Sequence, residues 1–249
     1  MTRIEIQPYL PILVATFTHT SAPMFNPKVV RKVIKPVIFI ACLLPLAWLI
    51  AGAFGVANIS LGANPVAKIL HQLGQWGLRF IVITLCISPL RSLLNWPWLV
   101  LLRRMLGLFA FTYVLLHFLT WLILDQGLFI PNSGFTWHSI IKDITKRPYI
   151  TIGFAALLML IPLAITSTNA MMRRLGKRWQ QLHRLVYVIA VLGVWHYYWQ
   201  VKKDVREPLV FAAIVFALLA WRYWRYRNRL ALAEQSRSAP VQSVAVEGN

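Results

Sequence analysis

Three histidines lie inside long apolar stretches of this sequence: His117, His183 and His196. Ionisable side chains are expensive to place in such stretches, and by default they mark a functional site. Neutral imidazole is also the commonest metal ligand among protein side chains. The competing explanation is that each histidine only forms a hydrogen bond to a neighbouring helix, as polar residues do in membrane bundles.

His183 and His196 share one apolar stretch, residues 177–200, and are 13 positions apart. A helical rise of 1.5 Å per residue separates them by roughly 20 Å along the axis, and a straight helix turns them about 140° away from each other. One imidazole is therefore expected near each face of a membrane. The two do not form a single stripe.

The composition places this chain in lipid. It has 249 residues, of which 58% are hydrophobic and 13% charged, with a net charge of +19 and a mean hydropathy of +0.61. Soluble domains contain about 25% charged residues. Lysine and arginine occur in short clusters between apolar runs, which is typical of membrane proteins and does not indicate a nucleic-acid partner. Cys42 and Cys86 lie in apolar runs and are interpreted as packing residues.

Six apolar segments of about the 20 residues that a membrane span requires organise the chain. They are residues 36–56, 70–90, 105–125, 149–168, 180–200 and 208–226. The denser basic clusters precede the first segment, follow the second and fourth, and close the sixth, so the positive-inside rule places both termini in the cytoplasm. The sequence predicts an all-α integral membrane protein, a six-helix transmembrane bundle over 36–226, with an N-terminal cytoplasmic arm (1–35) and a cytoplasmic tail (227–249).

In this topology His117 and His196 lie at similar depth in the outer halves of the third and fifth segments. One axial imidazole from each of two facing helices is how a b-type haem is held, so we predict a haem between them. Arg79, eight residues after His71, lies roughly 12 Å further along the second helix. A buried arginine needs an anionic partner, which a haem propionate would supply. Flanking aromatic residues could line the porphyrin, namely Tyr113, Trp121, Trp179 and Tyr187.

His183 has no obvious partner. A second haem on the cytoplasmic side would need a ligand near position 104, and the residues there are Arg103 and Arg104. His183 could ligate a second haem with another partner, replace a ligand of the first haem, or help to hold a different cofactor. The sequence leaves these alternatives open, and the haem count at one or two.

No motif for a self-contained catalytic activity is present. The chain lacks a general-acid carboxylate pair, GxSxG, a P-loop and a Rossmann GxGxxG, and no soluble segment is large enough for a nicotinamide nucleotide. A reductase of this kind would therefore need its electrons brought by another protein. The alternatives are a stand-alone transmembrane oxidoreductase and a non-haem transporter or scaffold. A transporter would be expected to show two repeated halves with broken helices, and no such internal symmetry is evident in the sequence.

Three segments resemble the MsrQ family of the ferric-reductase-like transmembrane group: NPVAKILHQLGQWGLRF, RRMLGLFAFTYVLLHFLTW and LGKRWQQLHRLVY. The resemblance covers roughly residues 36–226. It implies a haem b and FMN subunit of the bacterial inner (cytoplasmic) membrane. Such a subunit passes electrons from the quinone pool or a cytosolic flavin reductase to the periplasmic molybdopterin enzyme MsrP, which reduces methionine sulfoxide in envelope proteins. The family's histidines match His71, His117, His183 and His196, and the chain would be an electron-transfer subunit, not the catalytic one.

Overall fold

The computed structural model describes residues 26–201 and 204–238. Within these ranges the chain is helical and contains no strand. The helices are α1 (Lys35–Ala53), α2 (Pro65–Leu93), α3 (Val100–Thr120), α4 (Trp137–Lys146), α5 (Pro148–Ile165), α6 (Asn169–Leu175), α7 (Lys177–His183), α8 (Leu185–Gln200) and α9 (Arg206–Ser238). A π-helical segment, Val30–Ile34, leads into α1, and a second one, Trp121–Asp125, extends α3. Most of the predicted arm (1–25) and the end of the predicted tail (239–249) lie outside the described residues.

Five helical segments in the described ranges are long and apolar enough to cross a membrane. They are Val30–Ala53, Pro65–Leu93, Pro97–Asp125, Pro148–Ile165 and Arg206–Gln235. The prediction of an all-helical membrane protein is confirmed. The segment predicted as a continuous fifth span, 180–200, is instead two helices, α7 and α8, separated at Arg184. Because α8 has 16 residues, fewer than the ~20 of a typical span, the count of six crossings stays a prediction.

The helix starts follow from local sequence signals. The side chain of Asn64 accepts a hydrogen bond from the Ala67 amide, 3.0 Å away, and Pro65 occupies the first turn of α2. An asparagine cap followed by proline is a strong N-terminal signal, because the cap satisfies a free amide and proline needs none. Thr136 caps α4 in the same manner, through the Ser139 amide. At Gly176, φ is +50°, which favours glycine and turns the chain from α6 into α7.

Two antiparallel helix pairs form the centre of the bundle. Helix α2 packs along α3, and α5 packs along α8, while α9 covers α8 and α2. A Cβ added at Gly77 of α2 would lie 2.7 Å from the Val114 side chain of α3, so the missing side chain lets these two helices approach closely. One end of the bundle contains the first residues of α2 and α5 and the last residues of α3 and α8. We call it the cavity end.

Tyr113 holds α3 against α1 at the helical turn that contains Pro45. Its side chain is fully buried. Its hydroxyl donates to the Cys42 carbonyl at 2.8 Å and accepts from the Leu46 amide at 3.1 Å. The hydroxyl therefore lies between the Cys42 carbonyl and the Leu46 amide, which is four residues later. The neighbouring Pro45 has no N–H to donate. Tyr113 was predicted as a candidate porphyrin-lining aromatic, but the structure assigns it to helix packing.

We expect Tyr113→Phe to destabilise the bundle without changing the site described below. The substitution removes the hydrogen-bond partner of the buried Cys42 carbonyl and Leu46 amide, which should lower the free energy of unfolding by about 1–3 kcal/mol. Thermal unfolding of the detergent-purified protein should show a lower midpoint. Phe111→Leu, on the same helix and only partly buried, is the control for a general effect of substitution in α3. An unchanged midpoint for Tyr113→Phe would contradict this role.

Candidate cofactor-binding site

The structure brings His117 of α3 and His196 of α8 together inside the bundle. Their ring centroids are 6.0 Å apart and their planes are nearly perpendicular, at 81°. Both side chains are partly buried. The two imidazoles come from different helix pairs, so only the packing of one pair on the other creates this arrangement.

Each of these histidines is oriented by a backbone carbonyl. The Nδ1 of His117 lies 2.8 Å from the Leu70 oxygen, and the Nδ1 of His196 lies 2.7 Å from the Tyr149 oxygen. Since a carbonyl can only accept, Nδ1 carries the proton in both rings. The Nε2 lone pair of each ring is then free to bind a metal, and the hydrogen bond at Nδ1 fixes the ring and increases its basicity.

A glycine makes room for each histidine. A Cβ added at Gly74 would lie 3.0 Å from Nδ1 of His117, and one added at Gly153 would lie 2.7 Å from Nδ1 of His196. Each glycine is four residues after the carbonyl that its histidine contacts. Any larger residue would push the ring away from that carbonyl. Neither glycine was predicted from the sequence as part of the site.

The two histidines line a cavity of about 330 Å³ at the cavity end. This volume is in the range of sites for small ligands and cofactors, about 300–1,000 Å³. Most of its lining is apolar, including Leu78, Ile81, Leu157 and Leu160. An apolar chamber with two oriented imidazoles suits a large flat apolar ligand that carries a metal at its centre.

The donor set fits haem better than a bare metal ion. Within the described residues, no group of three or more His, Cys, Asp or Glu side chains could hold an ion, whereas a porphyrin supplies four nitrogens of its own. Two imidazole–metal bonds of about 2.0 Å each take up about 4 Å of the 6.0 Å between the ring centroids. The remaining 2 Å is about the sum of the two distances from a ring centroid to its Nε2 atom. The separation of the two rings is therefore compatible with a haem iron that would be held between His117 and His196.

The cavity is built from two similar halves. Ten pairs of lining residues are related by an offset of 79 positions, and both histidine–carbonyl bonds and both glycines obey it. The pairs are Leu70/Tyr149, His71/Ile150, Gly74/Gly153, Gln75/Phe154, Leu78/Leu157, Ile81/Leu160, Val114/Gly193, His117/His196, Phe118/Tyr197 and Trp121/Gln200. The contacts between halves are reciprocal, since α2 meets α8 and α5 meets α3. An approximate two-fold axis thus runs along the helices between the two histidines, and the expectation of no internal symmetry is wrong.

At four of these pairs a polar residue on the side of α2 and α8 corresponds to an apolar or aromatic residue on the other side, and at a fifth, Leu70/Tyr149, the polar side chain is on the side of α5. On the side of α2 and α8 the residues are His71, Gln75, Tyr197 and Gln200, which we call the polar rim. On the side of α5 and α3 their equivalents are Ile150, Phe154, Phe118 and Trp121, which we call the apolar rim.

The contacts are equivalent across the axis as well. The amide of Gln75 donates to the Tyr197 hydroxyl at 2.9 Å, where the other half has the Phe154 and Phe118 rings 5.7 Å apart.

The remaining predicted site residues lie at different places. His71 lines the cavity at its exposed edge, with Nδ1 3.1 Å from the Gln200 amide. Arg79 does not line it: its guanidinium stacks on Trp76, 4.8 Å from the ring centroid, and lies 3.5 Å from the Gln75 oxygen. His183 lies outside the cavity lining, at the other end of the fifth segment.

His183 has its own surroundings. Its ring stacks on Trp179 at 3.9 Å, and Nδ1 donates to the Trp179 carbonyl at 3.1 Å. Its Nε2 is buried and has no hydrogen-bond partner. Arg103 lies near enough to interact electrostatically with His183 and with Arg222. The structure therefore separates His183 from the His117–His196 pair and leaves its Nε2 available.

Comparison with known proteins agrees with the class of protein that this fold and site define. Residues 73–194 match the family described as the ferric reductase like transmembrane component. A protein from Herminiimonas arsenicoxydans is 50% identical over 215 residues, which is 85% of this chain and 91% of that protein. One from Rhodospirillum rubrum is 53% identical over 186 residues, 74% and 85% of the two chains. One from Caulobacter vibrioides is 47% identical over 192 residues, 77% and 87%. No solved structure matches.

The chain is thus a membrane protein of the ferric-reductase-like transmembrane class. All three relatives are named protein-methionine-sulfoxide reductase heme-binding subunit MsrQ. At this identity and coverage, the chain belongs to the MsrQ family, and the resemblance inferred from its sequence motifs is confirmed.

Proposed function

We propose that this chain is the membrane-embedded electron-transfer subunit of a protein-methionine-sulfoxide reductase system, and that it binds haem b between His117 and His196. The observation that carries the proposal is the pair of Nδ1–carbonyl bonds, which direct two free Nε2 atoms at one cavity. The names of its relatives, as heme-binding subunits, support the same cofactor.

A bound haem supplies an iron that alternates between the ferric and ferrous states. His117 and His196 would hold the haem, and a site closed by two imidazoles would favour electron transfer over oxygen binding. The apolar lining excludes water and limits reorganisation around the iron. The Leu70 and Tyr149 carbonyls fix the orientation of the two imidazoles that would hold the haem.

The proposed topology has six crossings of the bacterial inner membrane, both termini in the cytoplasm and the cavity end facing the periplasm. In support, the ends of the helices opposite the cavity carry the dense basic clusters expected on the cytoplasmic side. These are Arg91, Arg103, Arg104, Arg173, Arg174, Lys177, Arg178, Arg222, Arg225, Arg227 and Arg229. Helix α8 would cross together with α7, the break at Arg184 lying near the cytoplasmic surface.

In this orientation the haem lies close to the periplasm, where the electron acceptor is the molybdopterin enzyme MsrP. Electrons enter from the quinone pool or from a cytosolic flavin reductase. The sulfoxide chemistry belongs to the partner, because the described residues offer no catalytic constellation beyond the cavity.

We place FMN, or a second haem, at the opposite end, near His183. The support is a group of cations with a free imidazole nitrogen: Arg103, Arg222 and the buried Nε2 of His183. The ion pair present among the described residues joins Arg147 to Asp143, at the cavity end. Within the described ranges neither Arg103 nor Arg222 is paired with a carboxylate, although the Arg222 guanidinium donates to the Leu85 and Leu218 carbonyls. Their positive charge would therefore be available to the phosphate of FMN or the propionates of a haem.

One sample tests the proposal. The detergent-purified wild-type protein should give a six-coordinate b-type reduced-minus-oxidised spectrum, and acid extraction should release a fluorescent flavin. The haem-to-protein ratio distinguishes one haem from two. A colourless protein purified from haem-replete cells would contradict the electron-transfer proposal and leave the scaffold alternative, whereas haem without flavin would remove only FMN.

A further inference from the structure

Residues of the two cavity halves occupy equivalent positions, but the polar rim and the apolar rim differ in chemistry. A ligand with one polar edge would explain this difference. The polar rim replaces four apolar residues of the other half with an imidazole, a phenol and two carboxamides. Haem b has such an edge, because its two propionates are on the same side of the macrocycle. From this asymmetry, and resting on the proposed function, we infer that the polar rim binds the propionate edge of the haem, with Gln75 and Tyr197 as hydrogen-bond donors.

The donors of the polar rim already hold a carboxylate in this structure. The Tyr197 hydroxyl donates to Oε2 of Glu207 at 2.6 Å, and the Gln75 amide reaches the same oxygen at 3.2 Å. Glu207 comes from the first turn of α9 and is exposed, so it can move into water. A donor pair that binds one carboxylate has the geometry to bind another, and hydrogen bonds to an ionised acceptor are roughly twice as strong as neutral ones.

The surroundings of Gln75 direct its amide towards the rim. Its oxygen faces the Arg79 guanidinium at 3.5 Å, on the side away from Tyr197. This arrangement leaves the NH₂ group pointing at the phenol and the carboxylate. Arg79 is then a positioning residue that acts through Gln75, whereas the sequence analysis predicted direct pairing with a propionate. Its equivalent in the other half is Leu158, which is exposed.

The polar rim also has free space beside it. A second pocket adjoins the cavity and is lined by the four rim residues together with Val201. The apolar rim is closed instead by aromatic packing, since the rings of Phe118 and Trp121 are 5.8 Å apart. The polar rim therefore has room for a haem edge. The charged residues that line the cavity elsewhere are Asp125 and Arg147, and the Arg147 guanidinium is already paired with Asp143 at 3.5 Å.

The test compares a leucine at equivalent positions of the two halves. Gln75→Leu removes a donor from the polar rim, and Phe154→Leu changes the apolar rim at the related site. Loss of a donor leaves more uncompensated negative charge near the iron, so reduction becomes less favourable. We expect the ferrous-to-ferric ratio of Gln75→Leu at a fixed potential to be about three-fold lower than that of the wild type. This corresponds to a reduction midpoint potential lower by about 30 mV, because a tenfold change in the ratio of a one-electron couple is about 59 mV. The resonance Raman propionate bands of Gln75→Leu should shift, whereas Phe154→Leu, which removes no hydrogen-bond donor, should leave the propionate bands in place.

Tyr197→Phe is isosteric and keeps the test decisive if Gln75→Leu does not fold. It should shift the propionate bands and lower the midpoint in the same direction. Unchanged propionate bands in both rim variants at full haem content would overturn this inference while leaving the proposed function intact, as would an equal shift in Phe154→Leu. A wild-type protein without haem would overturn both.

Discussion

We expect His117→Ala and His196→Ala each to lose the b-type haem. Each variant removes one of the two axial nitrogens and leaves an apolar chamber with a single imidazole. Changes to residues that only support a metal ligand typically cost about 10–100-fold in affinity, so loss of a ligand itself should cost more than about 100-fold. The measurement is the haem-to-protein ratio and the reduced-minus-oxidised spectrum after purification in detergent.

His138→Ala is the matched control, because His138 is an exposed histidine on α4 that does not line the cavity. It should keep the wild-type spectrum and the wild-type haem content. His183→Ala separates the two ends of the bundle: the spectrum of the His117–His196 site should persist, and a partial loss of total haem would indicate a second haem at His183. Full haem retention in His117→Ala and His196→Ala would show that another residue ligates the iron.

Gly153→Ala should weaken haem binding even though alanine is the better helix former. The new methyl carbon would lie 2.7 Å from Nδ1 and 2.8 Å from Cε1 of His196, so the ring must move away from the Tyr149 carbonyl. We expect about a 10–100-fold loss of haem affinity and an altered spin state. Gly74→Ala should have a smaller effect, since its methyl carbon would lie 3.0 Å from His117 Nδ1.

Gly107→Ala is the control for this pair, because a Cβ at that position of α3 has nothing within 4 Å. Replacing glycine by alanine in a helix interior stabilises it by about 1 kcal/mol. Loss of haem from Gly153→Ala with a preserved unfolding midpoint would therefore reflect the ligand geometry and not the helix. Equal haem content in Gly153→Ala, Gly74→Ala and Gly107→Ala would contradict the role assigned to the two glycines.

Much of this architecture could be predicted without coordinates. Apolar runs of about 20 residues, punctuated by basic clusters, indicate membrane helices. Buried histidines are costly enough to be informative on their own. His117 and His196 could be predicted as a pair, because helices that cross the membrane in alternating directions place these two residues at similar depth.

The internal repeat was present in the sequence but not recognisable there. Gly74 and His117 are separated by the same 43 positions as Gly153 and His196. Such a spacing carries no meaning until it is known that each glycine faces its histidine across two packed helices. Side chains in the two halves also differ at the rims, which hides the similarity from any comparison of residue types.

Local sequence determined where most helices begin, which segments are apolar enough to enter a membrane, and which side chains are too polar to be there without a reason. Only the tertiary structure decided which of these polar groups meet. His183 and His196 share an apolar stretch, yet His196 lies beside His117 and His183 lies elsewhere, because helix rotation and the packing of one helix pair on the other set the positions of the side chains. The direction of each imidazole was likewise decided by a carbonyl 47 residues away, a contact that no local pattern specifies.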